Sequence, residues 1–127
     1  MMNMRESGEM YLETIYVLSQ KSPSVRSIDV GAYMGYSKPS VSRAIGLLKK
    51  DGLVITDEQG FLKLTETGSQ MAKVIYERQQ LLSRLFMNIG VDEKTASEDA
   101  CRIEHYISEK TFEAIKNHVK RFGTKQS

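Results

Sequence analysis

Three residues near the C-terminal end of the chain have the chemistry to bind a metal or to react. Cys101, Glu104 and His105 stand at i, i+3 and i+4, so a helix through them would carry a thiol, a carboxylate and an imidazole within one turn. Two chemistries suit that set. The three could be donors to a transition-metal ion, or Cys101 and His105 could be drawn as nucleophile and base. The second needs an oxyanion-binding loop and a third orienting residue, and neither is evident in the sequence. A bland alternative stands beside both. On a helical wheel Ala96, Ala100, Ile103 and Ile107 share one side, which would leave the three polar residues in water. Three donors also fall short of the four to six that a first-row ion usually takes. Another helix has to supply the rest.

The elements that would position these residues are mostly helical, because apolar residues recur at helical spacing along most of the chain. A first helix is expected from about Ser7 to Gln20, with Tyr11, Ile15 and Leu18 in one stripe and Met10, Glu13 and Val17 beside it. Ser24 is a candidate cap for a helix over Val25 to Met34, which Gly35 stops. Ser37 caps the next helix, with Pro39 in its first turn and Gly52 beyond its end. "LVITDEQGFLKLTE" reads as a hairpin turning at Asp57 to Gly60. A long helix follows from Glu66 to Ile89. Asp92 opens a further helix reaching about Ile107, and Ser108 opens a last one with Phe112, Ile115, Val119 and Phe122 in register. The tail "GTKQS" is expected to fray.

Within "DVGAYMGYSKPSVSR" the spacing is more specific than helicity. Gly31 allows a close helix approach, Gly35 permits a tight turn, and Val41 packs the second helix back on the first. This is a helix-turn-helix, and the hairpin after it adds a wing. The second helix presents Ser37, Lys38, Pro39, Ser40, Ser42 and Arg43 at its N-terminal end. Arg43 could bind guanine in a bidentate fashion, while the hydroxyls and the helix terminus could hold phosphate oxygens. Lys63 on the hairpin is a further candidate for phosphate.

Composition agrees with a DNA-binding protein but does not demand one. The 127 residues are 40% hydrophobic and 27% charged, with a net charge of only +2. The charge is uneven, because Ser37 to Lys50 holds Lys38, Arg43, Lys49 and Lys50 and no acid. No run approaches a membrane span, and "MMNMRESGE" lacks a signal-peptide core. A single cysteine closes no internal disulfide. A cytoplasmic protein is expected.

Taken together, "EMYLETIYVL", "SKPSVSRAIGLLKKDGLV", "LTETG", "GVDE" and "ACRIEHYIS" resemble the metal-dependent winged-helix repressors related to the diphtheria toxin repressor and the manganese transport regulator. The resemblance covers nearly the whole chain. It implies a mainly α protein, with a winged helix-turn-helix over residues 1–65 and a helical metal-binding and dimerisation domain over 66–127. It also implies that Met10 joins Cys101, Glu104 and His105 as ligands, as in the iron-responsive branch, and that Glu13 matches a further carboxylate ligand of the manganese branch. Sulfur donors favour Fe(II) over Mn(II). The family's histidine at the position of Gln79 is missing, and Ser83 and Ser97 stand where some members have ligands, so one ion per protomer is expected. His118 is expected at the surface. The SH3-like C-terminal domain of some members is not expected. The implied function is a homodimeric repressor of double-stranded operator DNA with metal as corepressor. The alternative is a winged-helix regulator answering to a small molecule or a protein.

Overall fold

The computed structural model describes residues 4–122. Its elements are α1 (Met4–Lys21), α2 (Ser27–Met34), α3 (Lys38–Lys50), β1 (Val54–Thr56), β2 (Leu62–Leu64), α4 (Glu66–Asn88), α5 (Glu93–Ile103) and α6 (Glu109–Phe122). The fold is therefore mainly α with one antiparallel hairpin. It divides into two compact units, Met1–Val74 and Ile75–Ser127, with the division inside α4.

In the first unit α1 buries Tyr11, Leu12 and Ile15 in a core that includes Val30, Val41, Ile45, Leu48, Val54 and Leu62. The start of α2 differs from the sequence expectation. Ser24 does not cap it; the cap is Arg26, whose backbone N–H donates to the Asp29 carboxylate at 2.8 Å. The reason is Val25, which is buried and whose carbonyl accepts from the Leu62 amide at 2.7 Å. A residue committed to the hairpin cannot also begin a helix. Gly35, at φ 73°, ends α2, and the amides of Gly35 and Tyr36 both donate to the Gly31 carbonyl.

Gly31 has the close approach that its spacing implied. A Cβ there would stand 3.3 Å from the Tyr36 carbonyl oxygen and 3.4 Å from Val41 Cγ2. Ser37 caps α3, accepting from the Ser40 amide, and Pro39 lies in the first turn. In the hairpin Val54 pairs with Leu64, and Thr56 with Leu62. Strand alternation buries Val54 and Leu62 and exposes Ile55. The Asp57 carboxylate closes the turn by accepting from the amides of Gln59 and Phe61, each at 2.9 Å. Arg26 lies over the Phe61 ring at 4.5 Å, which ties the hairpin tip to the start of α2.

The second unit is built on Leu82, Ala100 and Phe112, with Leu81, Phe86, Ile107 and Ile115 around them. Asp92 caps α5 and Ser108 caps α6, as the sequence indicates. The hydrogen bonds from Thr95 hold the Asp92 carboxyl below the usual carboxylate range. However, α5 stops at Ile103 and does not reach Ile107. The tail "GTKQS" and the side chain of Phe122 lie outside the described residues.

Candidate nucleic-acid interface and metal centre

The N-terminal end of α3 is exposed at Ser37, Lys38, Pro39, Ser42 and Arg43, with Ser40 half-buried. Two of these hydroxyls are already engaged, because Ser37 Oγ donates to Ser40 Oγ at 3.0 Å as part of the cap. That leaves Lys38, Ser42 and Arg43 as the outward polar groups of the first turns. Next to them a groove of about 390 Å³ runs between α2 and α3, lined in part by Ile28, Gly31, Tyr36, Lys38, Val41 and Ser42. Its apolar wall beside Lys38 suits the methyl groups and phosphates of a DNA groove. Behind it Tyr11 of α1 meets Tyr36 with ring centroids 5.9 Å apart. Burial raises the Tyr11 phenol, Tyr36 adds to the rise, and Arg43 partly offsets it. Lys63 is differently placed from Arg43. Its ammonium donates to the Pro23 carbonyl at 2.9 Å, so a phosphate would have to replace that bond.

The candidate metal donors of the first unit lie on α1. Met10 and Glu13 are one turn apart; Met10 is half-buried and Glu13 is 8% exposed. Thr14 Oγ1 donates to the Met10 carbonyl at 2.9 Å, which fixes that turn. Glu9, also half-buried, was passed over by the sequence reading. Its signal was available: it is four residues from Glu13 and shares that helix face.

In the second unit the wheel expectation is overturned. Glu104 and His105 are 5% and 6% exposed, whereas Ile103 is 39% exposed. Glu104 keeps the α-helical backbone, its amide donating to the Ala100 carbonyl, so it follows buried Ala96 and Ala100 one turn further along the same side of the helix. From His105 the winding tightens, the amides of His105 and Tyr106 donating three residues back to Arg102 and Ile103. Cys101 remains in the last turn of α5 as a half-buried free thiol. His105 Nδ1 lies 3.0 Å from Glu104 Oε1. That oxygen is buried and has no hydrogen-bond donor among the described residues. A buried carboxylate oxygen without a donor, next to an imidazole nitrogen, fits a cation. Arg78 approaches the other side, with Nε 3.6 Å from Glu104 Oε2. Of the positions that departed from the family pattern, Ser83 is buried, Gln79 half-buried and Ser97 exposed; His118 is exposed, as expected.

A winged helix-turn-helix followed by a helical unit with buried donors defines a DNA-binding regulator with a candidate ligand site. The chain belongs to the iron-dependent repressor family: the family's N-terminal DNA binding domain matches residues 3–62, and its metal binding and dimerisation domain matches residues 65–126. The members of that family are DNA-binding repressors rather than enzymes, which removes the nucleophile reading of Cys101. The chain is 31% identical to the diphtheria toxin repressor of Corynebacterium diphtheriae over 86% of its own length and 49% of that protein. It is 30% identical to the transcriptional regulator MntR of Escherichia coli O157:H7, over 95% of this chain and 78% of that one. The structure of the manganese regulator SloR superposes with a TM-score of 0.80 at 27% identity, covering 89% of this chain and 53% of that one. The chain thus spans about half the length of the diphtheria toxin repressor and of SloR.

Proposed function

We propose that the protein is a metal-responsive transcriptional repressor of the cytoplasm, which binds palindromic operator DNA as a homodimer and controls iron or manganese homeostasis. The observation that carries the metal part is the buried Glu104 carboxylate, with its donor-free oxygen 3.0 Å from His105 Nδ1. The match to a metal-binding domain over residues 65–126 favours this reading over a regulator of small-molecule or protein effectors.

The proposed ligands are Met10 and Glu13 of the first unit and Cys101, Glu104 and His105 of the second, with Glu9 as an additional carboxylate. The set suits one divalent transition ion per protomer. Thioether and thiolate donors favour Fe(II) over Mn(II). When bound, such an ion supplies the positive charge that offsets carboxylates gathered at one place. The chain's residues do the rest. Met10 and Glu13 belong to α1, which packs on α2 and α3, so any ordering of α1 is felt by the recognition helix. In a dimer the two recognition helices must stand about 34 Å apart to read successive major grooves. Arg43, Ser42 and Lys38 then face base edges and phosphates, and Lys63 reaches phosphate only by exchanging its bond to Pro23.

The test measures binding of the purified chain to palindromic duplexes selected from a random pool, in chelator and with Fe(II) or Mn(II) added. At least a tenfold gain in affinity on adding metal is expected, with the gain lost in His105→Ala. Equal affinity in chelator, in Fe(II) and in Mn(II) would leave a DNA-binding protein without a metal switch.

A further inference from the structure

Arg78 has so far no role in either site, and its surroundings are unusual for a surface arginine. Its side chain is 13% exposed. Nη1 donates to Glu109 Oε1 at 3.2 Å, Nη2 donates to the Ile107 carbonyl at 3.4 Å, and the guanidinium lies 4.4 Å from the centre of the Phe112 ring. These three anchors do not involve Glu104. They join α4 to the segment immediately after the Glu104–His105 turn and to the first turn of α6. Nε then stands 3.6 Å from Glu104 Oε2, close enough to compensate charge and too far for a hydrogen bond. Neither Nε nor Glu104 Oε1 has a hydrogen-bond partner among the described residues.

Charge compensation without a hydrogen bond has a specific consequence. The guanidinium draws Oε2 to one side by electrostatic attraction while leaving the carboxylate's lone pairs available. Oε1 is therefore turned away from Arg78 and toward His105 Nδ1, where two donor atoms stand together. We propose that Arg78 is the positioning residue of the metal centre: anchored by Glu109, Ile107 and Phe112, it orients Glu104 so that Oε1 and His105 Nδ1 converge on one divalent ion. This rests on the metal reading above. Arg78 is not itself a ligand.

Two effects of opposite sign meet at this residue. Repulsion between the guanidinium and a divalent ion weakens binding, whereas a fixed, anionic ligand strengthens it. Loss of the outer partners that orient ligands commonly lowers metal affinity about 10- to 100-fold. Arg78 also divides its charge between Glu104 and Glu109, which reduces the repulsion. Orientation is therefore expected to prevail.

The experiment titrates the full chain with Co(II), reading affinity by chelator competition and ligand geometry from the visible absorption bands. The proteins are the wild type, Arg78→Met, Arg78→Lys, Glu104→Gln and the double variant Arg78→Met/Glu104→Gln. Arg78→Met should bind Co(II) about 10- to 100-fold more weakly, with altered bands, and Arg78→Lys should recover part of the loss. Because Arg78 acts through Glu104, the double variant should bind no more weakly than Glu104→Gln alone. If Arg78→Met does not fold, Arg78→Lys and Glu109→Gln, which loosens an exposed anchor, should each lower affinity several-fold with altered bands. Unchanged or tighter binding in the folded variants, or additive losses in the double variant, would overturn the role of Arg78. Full Co(II) affinity in Glu104→Gln would instead remove the metal reading on which it rests.

Discussion

At the scale of single residues, the two candidate sites differ in exposure. Arg43 is exposed, while Glu104 and His105 are buried. An exposed arginine on the reading helix contributes specificity only if it meets base edges, where a bidentate pair is worth roughly 1–3 kcal/mol of discrimination. Arg43→Ala should therefore flatten the preference between operator variants in a competition binding assay. A uniform loss of affinity across all sequences would reassign Arg43 to phosphate. The sequence offered candidate residues for both sites. Their environments were less legible. The wheel put Glu104 and His105 in water by residue type, although Glu104 follows the buried Ala96 and Ala100 at i+4 spacing; only the tighter winding from His105 on has no signal in the residue types there. The place of Arg78 is not legible in the sequence, because its partners Glu104, Ile107 and Glu109 are distant along the chain and meet it only through tertiary packing.

At the scale of elements, helix and hairpin identities followed from periodicity, and the caps Ser37, Asp92 and Ser108 from residue type. The start of α2 did not, because a long-range bond from Leu62 to Val25 decides it. Gly68 is a second such case. It sits in the first turn of α4, where its amide donates to Thr65 Oγ1, and a Cβ on it would collide with the Leu53 carbonyl. Thr65 holds the same junction, donating from its amide to the Leu53 carbonyl and from its hydroxyl to that of Gly52. Helix propensity alone says that Gly68→Ala gains about 1 kcal/mol. The backbone carbonyl cannot move aside cheaply, and overpacking of this kind costs roughly 1–3 kcal/mol. Gly68→Ala should therefore lower the denaturant midpoint in chemical unfolding, with an unchanged slope.

At the scale of the whole molecule, ligands drawn from residues 10 and 13 and from residues 101–105 would make metal binding and folding one equilibrium. A ligand at a hundred times its dissociation constant stabilises the form it binds by about 2.7 kcal/mol. For a chain of this size that corresponds to a rise in melting temperature on the order of 10 °C. Calorimetry of the chelated and Mn(II)-loaded protein should show this rise, and Glu13→Ala and His105→Ala should each reduce it. A rise lost in His105→Ala but intact in both Glu13→Ala and Met10→Ala would confine the ion to the second unit.

The bond between Lys63 and Pro23 has a bearing on how the hairpin behaves toward a polyanion. With that ammonium turned back on its own chain, the turn carries the half-buried Asp57 and the exposed Glu58, with Arg26 over Phe61 as the neighbouring cation. Carboxylates approaching a phosphate backbone are repelled, and the repulsion strengthens as salt is diluted. Lys63 adds its charge to a phosphate only where a backbone stands close enough to take the ammonium from Pro23, so the hairpin would contribute on a docked site and little in a passing encounter.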